Sequence, residues 1–160
     1  MGLDMYLERH SKAVEGYLGE DLENMKVNNP KGYKFIEPYI IQRGNEVFHW
    51  ESLSEKVGYW RKANAIHRWF VENVQNGEDD CGCYNVSKEQ LEELLEICRS
   101  IKSGTEDPKT LLPTQSGFFF GSTEYDEWYY EDIDSTIEIL EKVLAETDFD
   151  NEVITYQSSW

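Results

Sequence analysis

The sequence predicts an α+β protein in which a small mixed or antiparallel sheet of about four strands packs against about three helices. Alternating apolar residues near the start of the sequence predict one strand, EVITYQS near its end predicts another, and amphipathic segments, one of them with a capping box, lie between them. Strands and helices do not alternate with the regularity of a parallel doubly wound fold. With 160 residues, the chain is expected to form a single domain over residues 1–160, because single domains cluster near this length.

Four segments are predicted to be strands. LDMYLE at residues 3–8 alternates apolar residues with other residues, which is the period of a half-buried strand. EVITYQS at 152–158 predicts a closing strand, and NEVFHW at 45–50 predicts another short one. SGFFFG at 116–121 is an apolar run bounded by glycines, and it predicts a buried strand. Residues 9–44 carry several Gly and Pro turn signals, so they are predicted to be rich in loops.

Three helices are predicted between these strands. The first covers about residues 54–76, and its core stripe follows the i, i+4, i+7, i+11 spacing of one helix face, at Tyr59, Ala63, Ile66, Phe70 and Val74. The second begins at Ser87, where Ser-Lys-Glu-Gln forms a capping box, and ends before Gly104. The third covers about residues 133–147, with isoleucines and leucines at helical spacing on the inward face.

The chain is acidic, and its charge is unevenly distributed. The formal net charge is −17, and residues 122–160 contain twelve Asp or Glu against one Lys, whereas residues 52–75 have a small excess of Lys and Arg. General nucleic-acid binding is not expected, because its affinity comes from basic residues against phosphates. The acidity permits a basic protein partner, a cationic ligand or a surface that mimics nucleic acid. The alternative is that it serves only to keep the protein soluble.

The composition also argues against a membrane protein. No stretch approaches the roughly 20 apolar residues that a membrane span needs, and the N-terminal residues have no apolar segment of a secretory signal. The three cysteines, an odd number without a sign of export, indicate reduced thiols. We therefore expect a protein of the host-cell cytoplasm that does not associate with membranes.

A second stripe beside the core stripe of the first predicted helix indicates a binding site. Trp60, Asn64 and His67 follow one another at i, i+4 and i+7, so the indole, carboxamide and imidazole groups are expected to point the same way. This combination suits a pocket in which Asn64 and His67 orient a ligand and Trp60 stacks on it. The alternative is that Asn64 and His67 hydrogen-bond to a neighbouring loop, since buried polar groups must be paired in either case.

The segment that follows residues 116–121 is dense in acidic and aromatic side chains. Loops at the ends of sheet strands are common places for sites, because the scaffold fixes where they begin. Glu124, Tyr125 and Asp126 are therefore candidate ligand-binding residues, and Asp126 or Glu124 beside His67 could form an acid–base pair. The alternative is that the aromatic residues anchor this loop to the core while the carboxylates face water.

The loop GEDDCGCYN at residues 77–85 brings two carboxylates and two thiols close together, and Asp80 is a further candidate ligand-binding residue. Cys81 and Cys83 have C-x-C rather than C-x-x-C spacing, which disfavours zinc. A hard cation would require Asp79 and Asp80 together with Glu124 or Asp126. No metal site is therefore predicted, and the absence of phosphate-loop, dinucleotide and nucleophile-elbow patterns leaves any cofactor unknown.

The motifs GLDMYL, GYWRKANAIHRWF, DDC, FFFGSTEYDE and YQSSW cover most of the chain outside residues 9–44. Together they resemble an uncharacterised family of small proteins encoded by tailed bacteriophages and prophages. The resemblance implies a phage context, but neither an established activity nor a catalytic residue. It also implies that the helix stripe, the Asp-Asp-Cys loop and the carboxylates after residue 121 belong to one recurring unit.

Three functions follow as alternatives. The first is a small acidic accessory protein that binds a host or defence component, or a small ligand, through a polar–aromatic pocket around Trp60, Asn64 and His67. The second is an enzyme acting on a small nucleotide-like molecule, with His67 as general acid or base helped by Asp126, Asp80 or Asn64. The third is an interaction protein whose acidic surface docks on a basic partner. A pocket that joins His67 to Asp126 favours the first two, whereas a flat acidic face with His67 buried under the core favours the third.

Overall fold

A four-stranded antiparallel sheet forms the centre of the structure, a computed structural model that describes residues 2–44 and 49–160. The strands are β1 (Asp4–Ser11), β2 (Ile41–Gly44), β3 (His49–Ser52), β4 (Ser54–Arg61), β5 (Cys83–Val86) and β6 (Glu152–Ser159). The large sheet has the order β4-β1-β6-β5, and β2 and β3 form a separate antiparallel pair. The predicted α+β class is confirmed, as are the first and last strands.

The helices differ widely in length. They are α1 (Leu22–Asn28), α2 (Pro30–Ile36), α3 (Asn64–Asn73), α4 (Lys88–Ser103), α5 (Pro108–Leu111) and α6 (Glu127–Glu146), with short 3-10 helices at Lys12–Tyr17 and Glu37–Tyr39. The capping box predicted for α4 is confirmed, because the Ser87 hydroxyl accepts from the Gln90 amide while the Gln90 side chain accepts from the Ser87 amide. Helix α6 starts earlier than predicted, because the Asp126 carboxylate accepts from two amides of its first turn and caps it.

Buried side chains from one face of the large sheet and from α3, α4 and α6 form the main hydrophobic core. Phe70 of α3 stacks on Tyr156 of β6 with ring centroids 3.9 Å apart. A smaller core lies within residues 12–53. The short helices that surround it show that the segment predicted to be loop-rich contains regular structure. No helix in the described ranges is long and apolar enough to cross a membrane.

The first predicted helix, over residues 54–76, is wrong in its first half. Residues 54–61 form the edge strand β4, whose burial alternates along the chain, and only Asn64–Asn73 are helical. Gly58 permits the close approach of α6 to this strand, because a Cβ placed there would lie 2.8 Å from the Ile139 side chain of α6. The strand ends at Arg61, because the next residue, Lys62, has a φ of 61° in the left-handed region that interrupts extended structure.

The strand predicted at residues 116–121 is also wrong. These residues belong to the loop over residues 112–126, which connects α5 to α6, and the Phe120 amide closes a turn on the Gly117 carbonyl. Phe118 is 93% exposed although Phe120 is buried, so the apolar run is not a buried strand. Of the strand predicted at residues 45–50, positions 49 and 50 begin β3, and residues 45–48 lie outside the described ranges.

Candidate functional site

A cavity of about 340 Å³ lies where the end of β4, the start of α3, the 112–126 loop and the first turns of α6 meet. This volume is within the range of about 300–1,000 Å³ that is usual for small-molecule sites. Trp128 and Tyr129 of α6 provide its aromatic surface. Its charged lining residues are Arg61, Lys62, Glu124, Asp126, Glu131 and Asp132.

Two cations form one wall of the cavity, which we call the basic wall: Arg61, the last residue of β4, and Lys62, the residue that follows it. The backbone of Lys62 is held in place because its amide donates to the Leu3 carbonyl at 2.7 Å and its carbonyl accepts from the Asn64 amide at 2.8 Å. Neither the Arg61 nor the Lys62 side chain forms a hydrogen bond or ion pair with another described residue.

Three carboxylates form what we call the acidic wall: Glu124 from the 112–126 loop, and Glu131 and Asp132 from α6. None of the three forms an ion pair within the described part of the chain. Asp132 is half-buried, and burial, followed by the negative charges of Glu131 and Asp126, raises its pKa to about 7. Charges of opposite sign therefore line the cavity without neutralising each other.

Trp60 does not line the cavity, but a chain of hydrogen bonds connects it to the acidic wall. Its side chain is buried, and its Nε1 donates to the Thr136 hydroxyl at 2.9 Å. That hydroxyl donates to the Asp132 carbonyl at 2.6 Å, so β4 is tied to the turn of α6 that carries the Asp132 carboxylate. The predicted stacking of a ligand on Trp60 is not possible in this arrangement, because the indole is enclosed by the core.

Asn64 reaches the cavity, but every hydrogen bond of its side chain holds the 112–126 loop. Its Nδ2 donates to the carbonyls of Phe120 and Ser122 at 2.9 and 2.8 Å, and its Oδ1 accepts from the Gln115 amide at 2.9 Å. Asn64 therefore matches the alternative in which it fixes a neighbouring loop. By doing so it positions one side of the cavity, which makes it a positioning residue.

His67 is 0% exposed and lies outside the cavity. Its Nε2 is 2.9 Å from Asp79 Oδ2 and its Nδ1 is 2.8 Å from the Tyr156 hydroxyl. In a neutral ring the carboxylate fixes the tautomer, so Nε2 donates to Asp79 and Nδ1 accepts from Tyr156. The predicted pairing with Asp126 or Glu124 is wrong. A fully enclosed ring with both nitrogens bonded is not placed to exchange a proton with a ligand in the cavity.

The Asp79 carboxylate extends this buried network to the last residue of the chain. Its Oδ1 accepts from the Trp160 indole at 3.1 Å, and the Trp160 ring meets Phe120 edge-on with centroids 6.1 Å apart. Burial and the charge of Asp79 raise the pKa of Tyr156 well above its ordinary value. The network thus joins α3, the loop after it and β6, which is a structural role.

The remaining predicted site residues are divided between the cavity and other places. Glu124 and Asp126 line the cavity. Tyr125 packs against Tyr129, with ring centroids 4.9 Å apart, and its hydroxyl accepts from the Thr114 amide, so it anchors the 112–126 loop. Asp80 is exposed and lies apart from the cavity.

The Asp-Asp-Cys loop is held as a turn by Asp80. The Asp80 carboxylate accepts from the Gly82 amide and the Tyr84 hydroxyl, and these bonds lower its pKa. Cys81 and Cys83 are free thiols. Within residues 2–44 and 49–160, no three His, Cys, Asp or Glu side chains come together as a metal site would require.

Sequence reasoning missed the residues that contribute most of the charge of the cavity. Arg61 and Lys62 looked like the solvated side of a helix, and Trp128, Glu131 and Asp132 lay at the edge of a helix predicted to begin later. A strand prediction for residues 54–61 would have placed the two cations at a strand–helix junction. The Asp126 cap would have placed the other three on the first turns of α6.

No family model, curated protein or solved structure matches this chain. The geometry of the cavity is therefore what indicates a function. Membership of the phage-protein family that the motifs of this chain resemble stays a prediction.

Proposed function

We propose that the protein is an accessory protein, of the kind encoded by tailed phages, that binds a small polar ligand in the cavity beside the start of α3. One observation carries this proposal: a cavity of about 340 Å³ has a basic and an acidic wall whose charges have no partners among the described residues. Asp132 is half-buried, and a partly desolvated charge without a partner costs free energy. A ligand that pairs with Asp132 recovers that free energy on binding. The Arg61, Lys62, Glu124 and Glu131 side chains are exposed and hydrated, so each adds a smaller attraction of up to about 1 kcal/mol.

Binding is a better account of this cavity than catalysis by His67. The imidazole is enclosed, and its partners are Asp79 and Tyr156. Ser122 also lines the cavity. Its hydroxyl accepts a hydrogen bond from the Glu124 amide and is not bonded to a basic side chain in the described ranges. A nucleophile activated by a neighbouring base requires such a bond.

Docking of the acidic surface on a basic host or defence protein is a second candidate. The burial of His67 and the 68% exposure of Trp128 favour it, because exposed aromatic side chains are common anchors at interfaces. Part of the acidic face of α6 is already neutralised within the chain, however, since Asp134 pairs with Lys102 at 2.7 Å and Glu141 pairs with Arg99 at 2.8 Å. The cavity is therefore the stronger candidate.

Native mass spectrometry of the protein purified from cells tests the proposal. Lys62→Gly removes a cation of the basic wall and also relieves the left-handed backbone, so it is not expected to unfold the protein. Asn76→Gly is a matched control, because Asn76 has a similar φ of 55° and lies outside the cavity.

We expect wild type and Asn76→Gly to carry the same bound mass and Lys62→Gly to lose it. The proposal is contradicted if none of the three proteins carries a bound ligand, or if all three carry the same bound ligand. In the first of those cases, capture of a basic protein partner by wild type would support docking instead.

A further inference from the structure

The two walls of the cavity also indicate the chemical class of its ligand, an inference that rests on the proposed function. On the basic wall, Arg61 and Lys62 stand beside the first turn of α3, and Ala65 of that turn lines the cavity. No side chain caps this helix, because its N-cap residue is Ala63. Uncapped amides at a helix start favour a negative group, and here they lie next to two cations in a concave site.

The acidic wall has the opposite preference. The half-buried Asp132 carboxylate has Glu131 and Asp126 as negative neighbours, which disfavour its ionised form, and no described side chain bonds it. A positive group placed there would be attracted by several carboxylates at once. Trp128 lies beside it, and an indole face adds attraction for a cation.

A ligand with one kind of charge would suit only half of this cavity. An anion bound to the basic wall would leave the carboxylates unpaired and would be repelled by them. A cation bound to Asp132 would leave Arg61 and Lys62 unpaired in the same way. A molecule with both charges is attracted by both walls.

We propose that the ligand is a small zwitterion whose anionic group binds Arg61, Lys62 and the start of α3 and whose cationic group binds the carboxylates of the acidic wall. The cavity volume of about 340 Å³ equals that of about eleven water molecules at about 30 Å³ each. This space suits a molecule of about amino-acid size, with an ammonium or guanidinium group at one end and a carboxylate or similar anion at the other.

Amide chemical shifts of the labelled protein, followed during titration by NMR, test the charge requirement and detect weak binding. Three probes of equal chain length are used: ε-aminohexanoate, which is a zwitterion, hexylamine, which is a cation, and hexanoate, which is an anion. We expect ε-aminohexanoate to shift the amides of Ala65 and Asp132 and to bind at least about tenfold more tightly than either other probe, since each charge-assisted hydrogen bond contributes at least about tenfold.

Variants assign each end of the zwitterion to its wall. We expect Lys62→Gly and Asp132→Asn each to weaken ε-aminohexanoate binding about tenfold or more. Asn76→Gly, which makes the same backbone change as Lys62→Gly, and Glu138→Gln, which removes a carboxylate, are the controls outside the cavity, and they should leave binding unchanged.

Two results would overturn the inference. The first is that hexylamine or hexanoate binds as tightly as ε-aminohexanoate. The second is that none of the three probes shifts an amide of the cavity. Either result can occur while the cellular ligand is still lost from Lys62→Gly in the mass spectrum. The zwitterion inference would then be wrong and the proposed function would stand, so the two failures are distinguishable.

Discussion

Replacing Asp132 by Asn is expected to stabilise the protein above about pH 7 and to change little near pH 4. The pKa of Asp132 is raised from its ordinary value of 3.8 to about 7, chiefly by burial. When both folded and unfolded chains are protonated, the carboxyl has no ionisation cost. As the pH rises through the lower value, the unfolded chain loses its proton first, which favours unfolding progressively until the folded-state pKa is passed.

The size of this stability effect follows from the difference between the unfolded-state and folded-state pKa values. At about 1.4 kcal/mol per pH unit, the interval from 3.8 to about 7 corresponds to about 4 kcal/mol. Asp132 is half-buried and borders an open cavity, so solvent screening reduces the effect, and we expect about 2 kcal/mol. The asparagine keeps the size of the side chain and cannot ionise, so it should recover this amount at pH values above about 7.

Urea unfolding of wild type and Asp132→Asn at about pH 4 and about pH 8 measures the effect. The other charged groups of the cavity, on both of its walls, are present in both proteins, so the difference between the two pH values isolates Asp132. Glu138→Gln, an exposed change on α6, is the control and should show no such dependence. The reasoning is refuted if Asp132→Asn has the same stability difference from wild type at both pH values.

Three further substitutions test the supports of the cavity and of the sheet by urea unfolding. Asn64→Ala should destabilise the protein by about 2–4 kcal/mol, because its partners in the 112–126 loop lose their hydrogen bonds. A loss below about 0.5 kcal/mol would contradict the role of Asn64 in holding this loop. His67→Ala should lower the free energy of unfolding by about 3 kcal/mol, because it leaves its hydrogen-bond partners unpaired and creates a void in the core. Unchanged stability would contradict a structural role for His67. Gly58→Ala should cost about 1–3 kcal/mol by overpacking against Ile139, whereas Gly16→Ala, with open space around it, should cost less.

The parts of the fold that were predicted correctly depend on neighbours in the sequence. The α4 helix begins with a side chain–backbone exchange between Ser87 and Gln90, three residues apart, and ends where Gly104 adopts a φ of 74°. The first strand was recognised by the alternation of its apolar residues, and the last by its β-branched and aromatic residues. Such signals are local, and a single sequence contains them.

The error at residues 54–61 has a tertiary cause. Aromatic and β-branched residues suit both an amphipathic helix and a strand, and the spacing of Tyr59 and Ala63 matched a helix face by coincidence. What selects the strand is pairing with β1, including the Tyr6–Tyr59 pair with ring centroids 5.5 Å apart. The close approach of α6 to Gly58 adds to this selection. Neither partner is near in sequence.

The structure divides the candidate residues that the sequence indicated, and ligand binding by them stays a prediction. Asn64, Glu124 and Asp126 line the cavity, and the Asn64 side chain bonds to a loop, as the alternative interpretation expected. His67 could not be placed from the sequence, because its partner Tyr156 is 89 residues away. The direction in which a buried imidazole points depends on which distant groups can satisfy it.

The sequence by itself determined the acidic charge, the caps of α4, the first and last strands and the presence of polar residues between residues 60 and 67. Only the tertiary structure decided that Arg61 and Lys62 line the same cavity as Glu131 and Asp132. The physical reason is that a cap or a strand face depends on contacts among near neighbours. A binding cavity depends instead on the sheet pairing and helix packing that bring separate segments together.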